Sequence, residues 1–307
     1  MRVLIVIGCD DINDAPFVAL QKKNLENLGV DCFVFPINKK GLWGYLRCLN
    51  AYWKTIKNVK PDVIHAHYAL SGLFALFQFR KPVIISYIGS DVLVKKLKLL
   101  SWFTMLFTEY SIFVSRSLYE AVPFKKKNFR IIPYGIDLEN FKIVEKQSAR
   151  IKLGFHLTQI YCLFPSLKTR AEKNYALAEA SINNIGGIQI IEMGLNLPIE
   201  ELNLVYNACD FMLLTSLHEG GPQVIFEALA TNLPIVSTDV GVVRESIKGL
   251  DGCYICGYNL EDVVIKIKKV LQFEGRTSGR ERVHELNLDS GILIQDVIAL
   301  YKTIENK

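Results

Sequence analysis

Short apolar runs alternate with amphipathic helical segments along most of the chain. In the N-terminal half the pattern predicts strands at residues 3–7, 32–35, 63–66 and 83–87. It predicts helices between them, at residues 17–28, 45–59 and 70–79. Continuous apolar strands separated by helices are typical of a parallel sheet covered on both faces. Because such sheets bind ligands at the carboxyl ends of their strands, the loops that follow the strands are the candidate site.

A second series of the same kind begins after Lys142. Its strands are predicted at residues 160–164, 189–193, 211–214 and 235–238. Its helices are predicted at residues 173–182, 198–208, 222–231, 260–273 and 292–305. A chain of 307 residues is long enough for two α/β domains of this kind. We expect one domain over residues 1–143, a second over 144–290, and a final helix over 291–307.

The composition is that of a folded protein and argues against export. Half of the residues are hydrophobic and 22% are charged. No run reaches the ~20 uninterrupted apolar residues of a spanning helix, and the first apolar run is too short for a signal peptide. The seven cysteines are scattered without a zinc-ligand pattern. We therefore expect reduced thiols and a cytoplasmic location.

Charge is unevenly distributed along the chain. Residues 1–145 carry 20 Lys and Arg against 12 Asp and Glu, whereas the remainder carries 16 against 19. A basic half favours an anionic partner such as the inner face of the cell membrane. Basic and aromatic residues are interleaved at residues 39–45 and 94–103, which either lie in a bilayer interface or form ordinary surface helices. Nucleic acid is not an expected partner, because no nucleic-acid-binding motif accompanies the charge.

The most informative stretch reads TSLHEGGPQVIFEALATNLPIV, residues 215–236. An apolar strand leads into a loop with Glu219 and two glycines, and a helix is predicted to open at Pro222. The start of a helix directs backbone N–H groups and a positive dipole end at one point, which suits a phosphate or a sugar oxygen. Glu219 and Glu227 add acceptors for hydroxyl groups. The stretch predicts a nucleotide-sugar site, with an ordinary strand–helix crossover as the alternative.

A basic loop follows the first strand of the second series and contains Lys168, Arg170 and Lys173. A parallel sheet brings this loop to the same edge as the glycine loop. When a sugar leaves a nucleotide diphosphate, charge develops mainly on the departing phosphate, so fixed cations there would give the largest stabilisation. A solvated charged loop is the alternative.

Residues 215–241 resemble the E-x7-E signature of retaining glycosyltransferases of family 4, which have the GT-B fold. The resemblance implies an α/β protein of two Rossmann-like, doubly wound parallel-sheet domains facing across a cleft, with the last helix crossing back to the first domain. It also implies retaining transfer of a sugar from a nucleotide-diphosphate sugar to a saccharide or lipid-linked acceptor, in surface polysaccharide or glycolipid biosynthesis. Neither a cofactor nor a metal is expected.

The same resemblance assigns roles to individual residues. Glu219 would hold a sugar hydroxyl near the reacting carbon, and Glu227 would accept hydrogen bonds from the ribose. Donor oxygens would bind around the residues that follow Glu219, which are Gly220, Gly221, Pro222, Gln223 and Val224. Lys173 matches the family's phosphate-binding lysine. The family more often has an arginine five residues earlier, where this chain has Lys168, so Lys168 and Arg170 compete for the second cationic role.

In the first half, residues 86–91 resemble the family's His-Gly-x-Asp segment beside the reaction centre. Ile88 replaces the histidine, which leaves Gly89, Ser90 and Asp91 as candidates on the acceptor side. A Ser or Asp that caps a helix is the alternative. His65 and His67 match a family pattern at a strand end. We expect one ring to face inward and the other outward, so that at most one reaches the site.

Other functions stay open. A GT-B nucleotide-sugar epimerase would need a proton-abstracting base, which the sequence does not display. A nicotinamide-binding protein would need G-x-G-x-x-G after the first strand, which is absent. A glycosidase could use the two glutamates but not the basic loop. A non-catalytic nucleotide-sugar-binding module conflicts with Glu219, Glu227 and Lys173, although the change at Ile88 keeps it open.

Overall fold

The computed structural model describes residues 1–38, 41–123, 127–194 and 197–305, without the side chains of residues 41, 42 and 96. The chain divides into two compact units. One comprises Met1–Tyr134 together with Ser290–Lys307, and the other comprises Gly135–Asp289. The chain therefore passes from the first unit to the second between residues 134 and 135, whereas the sequence pattern placed this boundary between residues 143 and 144.

The first unit is built on a six-stranded sheet in the order β2–β1–β3–β4–β5–β6, in which all neighbours are parallel. Its strands are β1 (Arg2–Ile7), β2 (Asp31–Pro36), β3 (Val63–His67), β4 (Val83–Tyr87), β5 (Tyr110–Phe113) and β6 (Phe129–Ile131). Its helices are α1 (Pro16–Asn27), α2 (Gly41–Val59), α3 (Ala69–Ala75), α4 (Ser90–Leu93), α5 (Lys95–Phe107) and α6 (Arg116–Glu120). Every residue of β3, β4 and β5 is buried, because helices cover both faces of the sheet.

The second unit is built on a five-stranded parallel sheet in the order β11–β10–β9–β7–β8. Its strands are β7 (Ile160–Phe164), β8 (Ile188–Glu192), β9 (Phe211–Leu214), β10 (Ile235–Thr238) and β11 (Cys253–Cys256). Its helices are α7 (Lys146–Leu153), α8 (Tyr175–Ile185), α9 (Ile199–Ala208), α10 (Gln223–Ala230), α11 (Val243–Ile247), α12 (Leu260–Leu271) and α13 (Gly279–Glu285).

The last helix, α14 (Ser290–Glu305), belongs to the first unit. Its apolar side chains, among them Ile294, Val297 and Tyr301, are buried in one cluster with Val3 and Ile5 of β1. This helix therefore completes the core on one face of the first sheet. Within the described ranges, no helix combines the length and the apolar character needed to cross a membrane.

The prediction of two doubly wound parallel sheets is confirmed. The sequence pattern missed the strands β5, β6 and β11 and the helices α4, α6, α7, α11 and α13. It left the segment of α5 open between a bilayer-interface segment and a surface helix. Strands of three or four residues give too few positions for an apolar period to be recognised.

Candidate functional site

Two neighbouring strands of the second sheet bring the basic loop and the glycine loop together. β7 and β9 are paired in parallel, with Cys162 opposite Phe211 and Leu163 opposite Met212. Their carboxyl ends therefore lie side by side at one edge of the sheet, and the loop that follows each strand starts there.

Lys173 and Glu219 form an ion pair between these two loops. The ammonium Nζ of Lys173 lies 2.5 Å from Oε1 of Glu219. The hydroxyl of Ser216 donates a hydrogen bond of 2.7 Å to the same oxygen. The two charged side chains are only 10% and 14% exposed. A buried ion pair offsets the cost of desolvating its two charges only when the geometry is close and further hydrogen bonds are made. The pair therefore fixes the positions of both charged groups.

The backbone around Lys173 differs from the prediction. Helix α8 begins at Tyr175 rather than at Lys173, which lies in a short 3-10 turn, Ala171–Lys173. Asn174 has a φ of 53°, a left-handed conformation that separates the turn from the helix. The hydroxyl of Thr215, at the end of β9, donates to the carbonyls of Lys173 and Asn174 at 3.0 Å each. The predicted helix start was therefore wrong, and a tertiary contact fixes the lysine.

Helix α10 starts one residue later than predicted. Pro222 is its N-cap, with an extended conformation (φ −69°, ψ 110°), and Gln223 is its first residue. Among the described residues, no side chain caps this helix start. The helix therefore presents backbone donors and its positive dipole end close to Gly220 and Gly221, as an anion or a sugar oxygen requires.

Gly241, which follows β10, supports the glycine loop, and the sequence analysis gave it no role. Its φ is +57°, which favours glycine, and a Cβ there would lie 3.0 Å from the ring of Pro222. It would also lie 3.2 Å from the Gly220 carbonyl and 3.3 Å from the Glu219 carbonyl. Its place just beyond a predicted strand was the available signal, but the close approach to another loop is tertiary information.

Glu227 is hydrogen-bonded to a residue that the sequence pattern did not indicate. The hydroxyl of Tyr206, a fully buried residue of α9, donates a hydrogen bond of 2.5 Å to Oε2 of Glu227. Burial raises the pKa of the Glu227 carboxyl to about 7, and the Tyr206 hydrogen bond opposes that rise. Glu227 is therefore a carboxyl group that gains or loses its proton near neutral pH.

The other two cations of the basic loop are exposed. Their side chains are 60% exposed for Lys168 and 53% exposed for Arg170. Among the described residues, Arg170 pairs with Glu172 at 2.6 Å, and the Lys168 ammonium lies 3.9 Å from Glu192. Neither is in the Lys173–Glu219 pair, so the competition between Lys168 and Arg170 for the second cationic role stays open.

In the first unit, Asp91 holds a loop in place. Its buried carboxylate accepts hydrogen bonds from the backbone N–H groups of Ile88, Gly89 and Ala69, at 2.9 to 3.2 Å. Burial raises its pKa to about 6. Gly89 has a φ of 153°, in the range that favours glycine, and Ser90 contacts the Tyr68 hydroxyl at 3.0 Å. The structure places Gly89 at the N-cap of α4 and Ser90 and Asp91 in its first turn, directly after β4. Their acceptor role stays a prediction.

The expectation for the two histidines of β3 was wrong. Residues two apart on a strand point to the same face. The rings of His65 and His67 accordingly stack with centroids 4.4 Å apart, and both are buried. His65 hydrogen-bonds to Tyr301 and Ser86, and His67 to Tyr134. Burial lowers the pKa of His65 to about 3 and that of His67 well below its ordinary value.

Two family models match this chain. Residues 172–272 match the model described as Glycosyl transferases group 1, and residues 18–117 match Glycosyl transferase 4-like. A Bacillus subtilis (strain 168) protein, TuaC, named as a teichuronic acid biosynthesis glycosyltransferase, is 28% identical over 228 residues. The alignment covers 64% of this chain and 58% of TuaC, so the chain spans less than two thirds of that relative's length.

Solved structures of low sequence identity share the fold. Sucrose-phosphate synthase from Thermosynechococcus elongatus is 16% identical with a TM-score of 0.79, and 99% of each chain is covered. Anabaena HepE, in complex with UDP and glucose, is 15% identical with a TM-score of 0.72, covering 99% of this chain and 100% of HepE. At these sequence identities the likeness concerns the fold alone. The predicted GT-B fold class is thereby confirmed.

The group 1 match spans Lys173, Glu219 and Glu227, whereas Lys168 and Arg170 precede it. The 4-like match includes Gly89, Ser90 and Asp91. The residue roles and the retaining stereochemistry stay predictions.

Proposed function

We propose that this chain is a retaining glycosyltransferase that moves a sugar from a nucleotide-diphosphate sugar to a saccharide or lipid-linked acceptor. The observation that carries the proposal is the buried Lys173–Glu219 pair, which lies beside the uncapped start of α10. A fixed cation, a fixed carboxylate and free backbone donors are the groups that an activated sugar requires.

The departing diphosphate is stabilised by Lys173 and by the start of α10. In the proposed reaction the ammonium of Lys173 binds a phosphate oxygen while Glu219 accepts a hydrogen bond from a sugar hydroxyl. The N–H groups around Gly220, Gly221, Gln223 and Val224 bind further sugar and phosphate oxygens, with Pro222 setting the entry into the helix. Donors already held in place need no reorganisation as charge develops, which is why they lower the barrier.

Glu227 binds the ribose in this proposal. Its ionised carboxylate accepts hydrogen bonds from the ribose hydroxyls, and the Tyr206 hydroxyl fixes its orientation. Either Arg170 or Lys168 supplies the second cation, for which it must exchange its pairing with Glu172 or Glu192 for the phosphate. The acceptor is assigned to the first unit, at the Gly89–Ser90 loop that Asp91 holds in place.

The stereochemistry and the setting of the reaction complete the proposal. The bond between the anomeric carbon and the phosphate oxygen breaks, and the acceptor oxygen bonds to the same face of the sugar. The acceptor proton passes to the leaving phosphate, so that the reaction needs no separate base. Lys173 and the start of α10 stabilise the charge of the leaving diphosphate, and no metal or cofactor takes part in the proposed reaction. The seven free thiols suit a reducing cytoplasm. The UDP in the HepE complex favours a UDP-sugar donor, and the teichuronic acid biosynthesis in the name of TuaC favours surface polysaccharide synthesis.

A thermal-shift screen against UDP-, GDP- and ADP-sugars tests the donor site, because a ligand that binds the folded state raises its melting temperature. We expect one nucleotide class to raise the melting temperature and the Lys173→Ala variant to lose that shift. The anomeric configuration of the product, measured by NMR, then tests retention. No shift with any nucleotide sugar would contradict the donor site, and conversion of the sugar without an acceptor would favour an epimerase.

A further inference from the structure

One surface of the first unit is apolar and exposed. A groove of about 440 Å³ runs between α3 and α5, and a second of about 210 Å³ runs between α2 and α3. Leu73 and Phe77 line both, so the two grooves lie next to each other. We call this surface the apolar face and define it by six exposed side chains, Leu46, Trp53, Phe77, Phe79, Phe103 and Phe107.

The side chains of the apolar face are exposed to solvent. Phe79, in the loop between α3 and β4, is 94% exposed. On α5, the exposed residues Leu99, Phe103 and Leu106 are spaced four and three apart, so they share one side of that helix. The indole N–H of Trp53 on α2 donates to the Phe77 carbonyl at 3.0 Å, which joins α2 to the same surface. Exposed apolar side chains grouped on one surface of a folded protein mark an interaction site.

The charge of the same stretch identifies the partner. Residues 41–108 contain nine lysines and arginines and two aspartates, a net charge of +7 in a protein whose total is +5. Of the two aspartates, Asp91 is buried in its loop and Asp62 accepts a hydrogen bond from the Arg2 backbone. Glu109, partly buried, lines the edge of the larger groove.

We infer that the apolar face docks on an anionic lipid bilayer. Its aromatic and aliphatic side chains enter the boundary between headgroups and acyl chains, and lysines such as Lys54, Lys57 and Lys95 bind lipid phosphates. The basic segment at residues 94–103 belongs to this face through α5. Of the other residues expected at a bilayer, Lys39, Lys40 and the side chain of Lys96 lie outside the described part. The inference concerns a surface of the first unit and does not depend on the proposed sugar donor.

Flotation of the full chain with vesicles tests the docking surface. We expect vesicles that contain phosphatidylglycerol to bind at least roughly tenfold more protein than phosphatidylcholine vesicles, with added salt weakening the binding. Replacing Phe79, Phe103 and Phe107 by Ser should lower this binding at least roughly tenfold. Because Phe103 and Phe107 are partly buried, with ring centroids 4.9 Å apart, a cooperative melting transition is the check that the variant is folded. Phe79→Ser alone, in a nearly fully exposed position, should lower it measurably.

Matched variants in the second unit separate this surface from a general effect of lost apolar groups or charge. Ile151→Ser with Ile265→Ser, both exposed, should leave vesicle binding unchanged. Replacing Lys54, Lys57 and Lys95 by Gln should weaken binding to anionic vesicles. The same change at Lys248, Lys268 and Lys269 should have little effect.

Three results would overturn the inference. The first is equal binding to neutral and anionic vesicles, and the second is unchanged vesicle binding of the triple Phe variant. The third is loss of binding in the second-unit variants to the same extent as in the first-unit variants. If the triple Phe variant abolishes self-association while vesicle binding persists, the face is a contact between copies of the chain instead.

Discussion

The ammonium of Lys173 lies 2.5 Å from Oε1 of Glu219, and both side chains are nearly excluded from solvent. The two residues belong to different loops, so a single ion pair joins the proposed phosphate-binding and sugar-binding groups. Removing either partner leaves a buried charge without compensation, whereas removing both does not. Activity and stability should therefore respond differently to single and double changes.

Lys173→Ala should lower kcat by roughly 10²–10³-fold, as expected when one donor to a developing charge is lost. It should also destabilise the fold, because Glu219 is left buried and unpaired. Combining Lys173→Met with Glu219→Gln should recover much of the stability and none of the activity. Lys146→Ala is the matched control, since Lys146 pairs with Asp210 at 3.0 Å elsewhere in the same unit. A normal turnover number for Lys173→Ala would remove the lysine from the mechanism.

Nucleotide affinity should weaken as the pH falls below about 7. The Glu227 carboxyl has a pKa raised to about 7 and must be ionised to accept hydrogen bonds from ribose hydroxyls. Titration calorimetry at several pH values between about 5.5 and 8.5, a range that brackets a pKa near 7, measures this dependence. Tyr206→Phe removes the hydrogen bond that holds the pKa down, so the midpoint should move to higher pH. A midpoint that Tyr206→Phe leaves in place would contradict the coupling between these two residues.

The same shift predicts how Glu227 affects stability. Because its folded pKa is raised above the unfolded value, its favourable contribution is complete below the unfolded pKa and is lost as the pH rises through about 7. Glu227→Gln should therefore be more stable than the wild type at pH 8, with the difference shrinking toward pH 4. Urea denaturation at the two pH values measures it, and a pH-independent difference would show that the carboxyl is not perturbed.

Gly241→Ala should weaken donor binding and destabilise the second unit. The new methyl group would press on the Glu219 and Gly220 carbonyls and on Pro222, in addition to the strain of a positive φ. Gly249→Ala is a matched control, because Gly249 has a φ of +76° and open space where a Cβ would lie. Both variants should lose roughly 1–2 kcal/mol from the left-handed backbone strain, and only Gly241→Ala should also lose nucleotide affinity. Equal affinity in the two variants would refute the supporting role of Gly241.

Stability of the first unit should depend on two neutral histidines. Burial lowers the pKa values of His65 and His67, so their contribution is present above about pH 6.5 and is lost as the pH falls through that value toward the folded pKa. A variant with Gln at both positions should lose stability less steeply than the wild type between about pH 7 and pH 5, the range in which an unfolded histidine gains its proton. Parallel pH profiles for the two proteins would show that the pair is not the cause.

Much of the fold could be predicted from sequence because buried strands and their crossover helices leave a regular apolar pattern. The basic loop and the glycine loop with Glu219 could be found because each follows a predicted strand, and Glu227 because it lies in the helix that the glycine loop opens. The starts of α8 and α10 were missed by one or two residues, since Asn174 and Pro222 adopt backbone conformations that no period encodes. The contact of Tyr206 with Glu227 and the close approach of Gly241 were missed because they join distant parts of the chain.

The hydroxyl of Thr215 binds two carbonyls of the basic loop and so ties the end of β9 to the backbone that carries Lys173. The position of each loop therefore depends on the other. An engineer who seeks a different donor preference by transplanting segments should exchange residues 164–174 and 211–222 as one cassette. Replacing either segment alone would remove the hydrogen bonds that position the other.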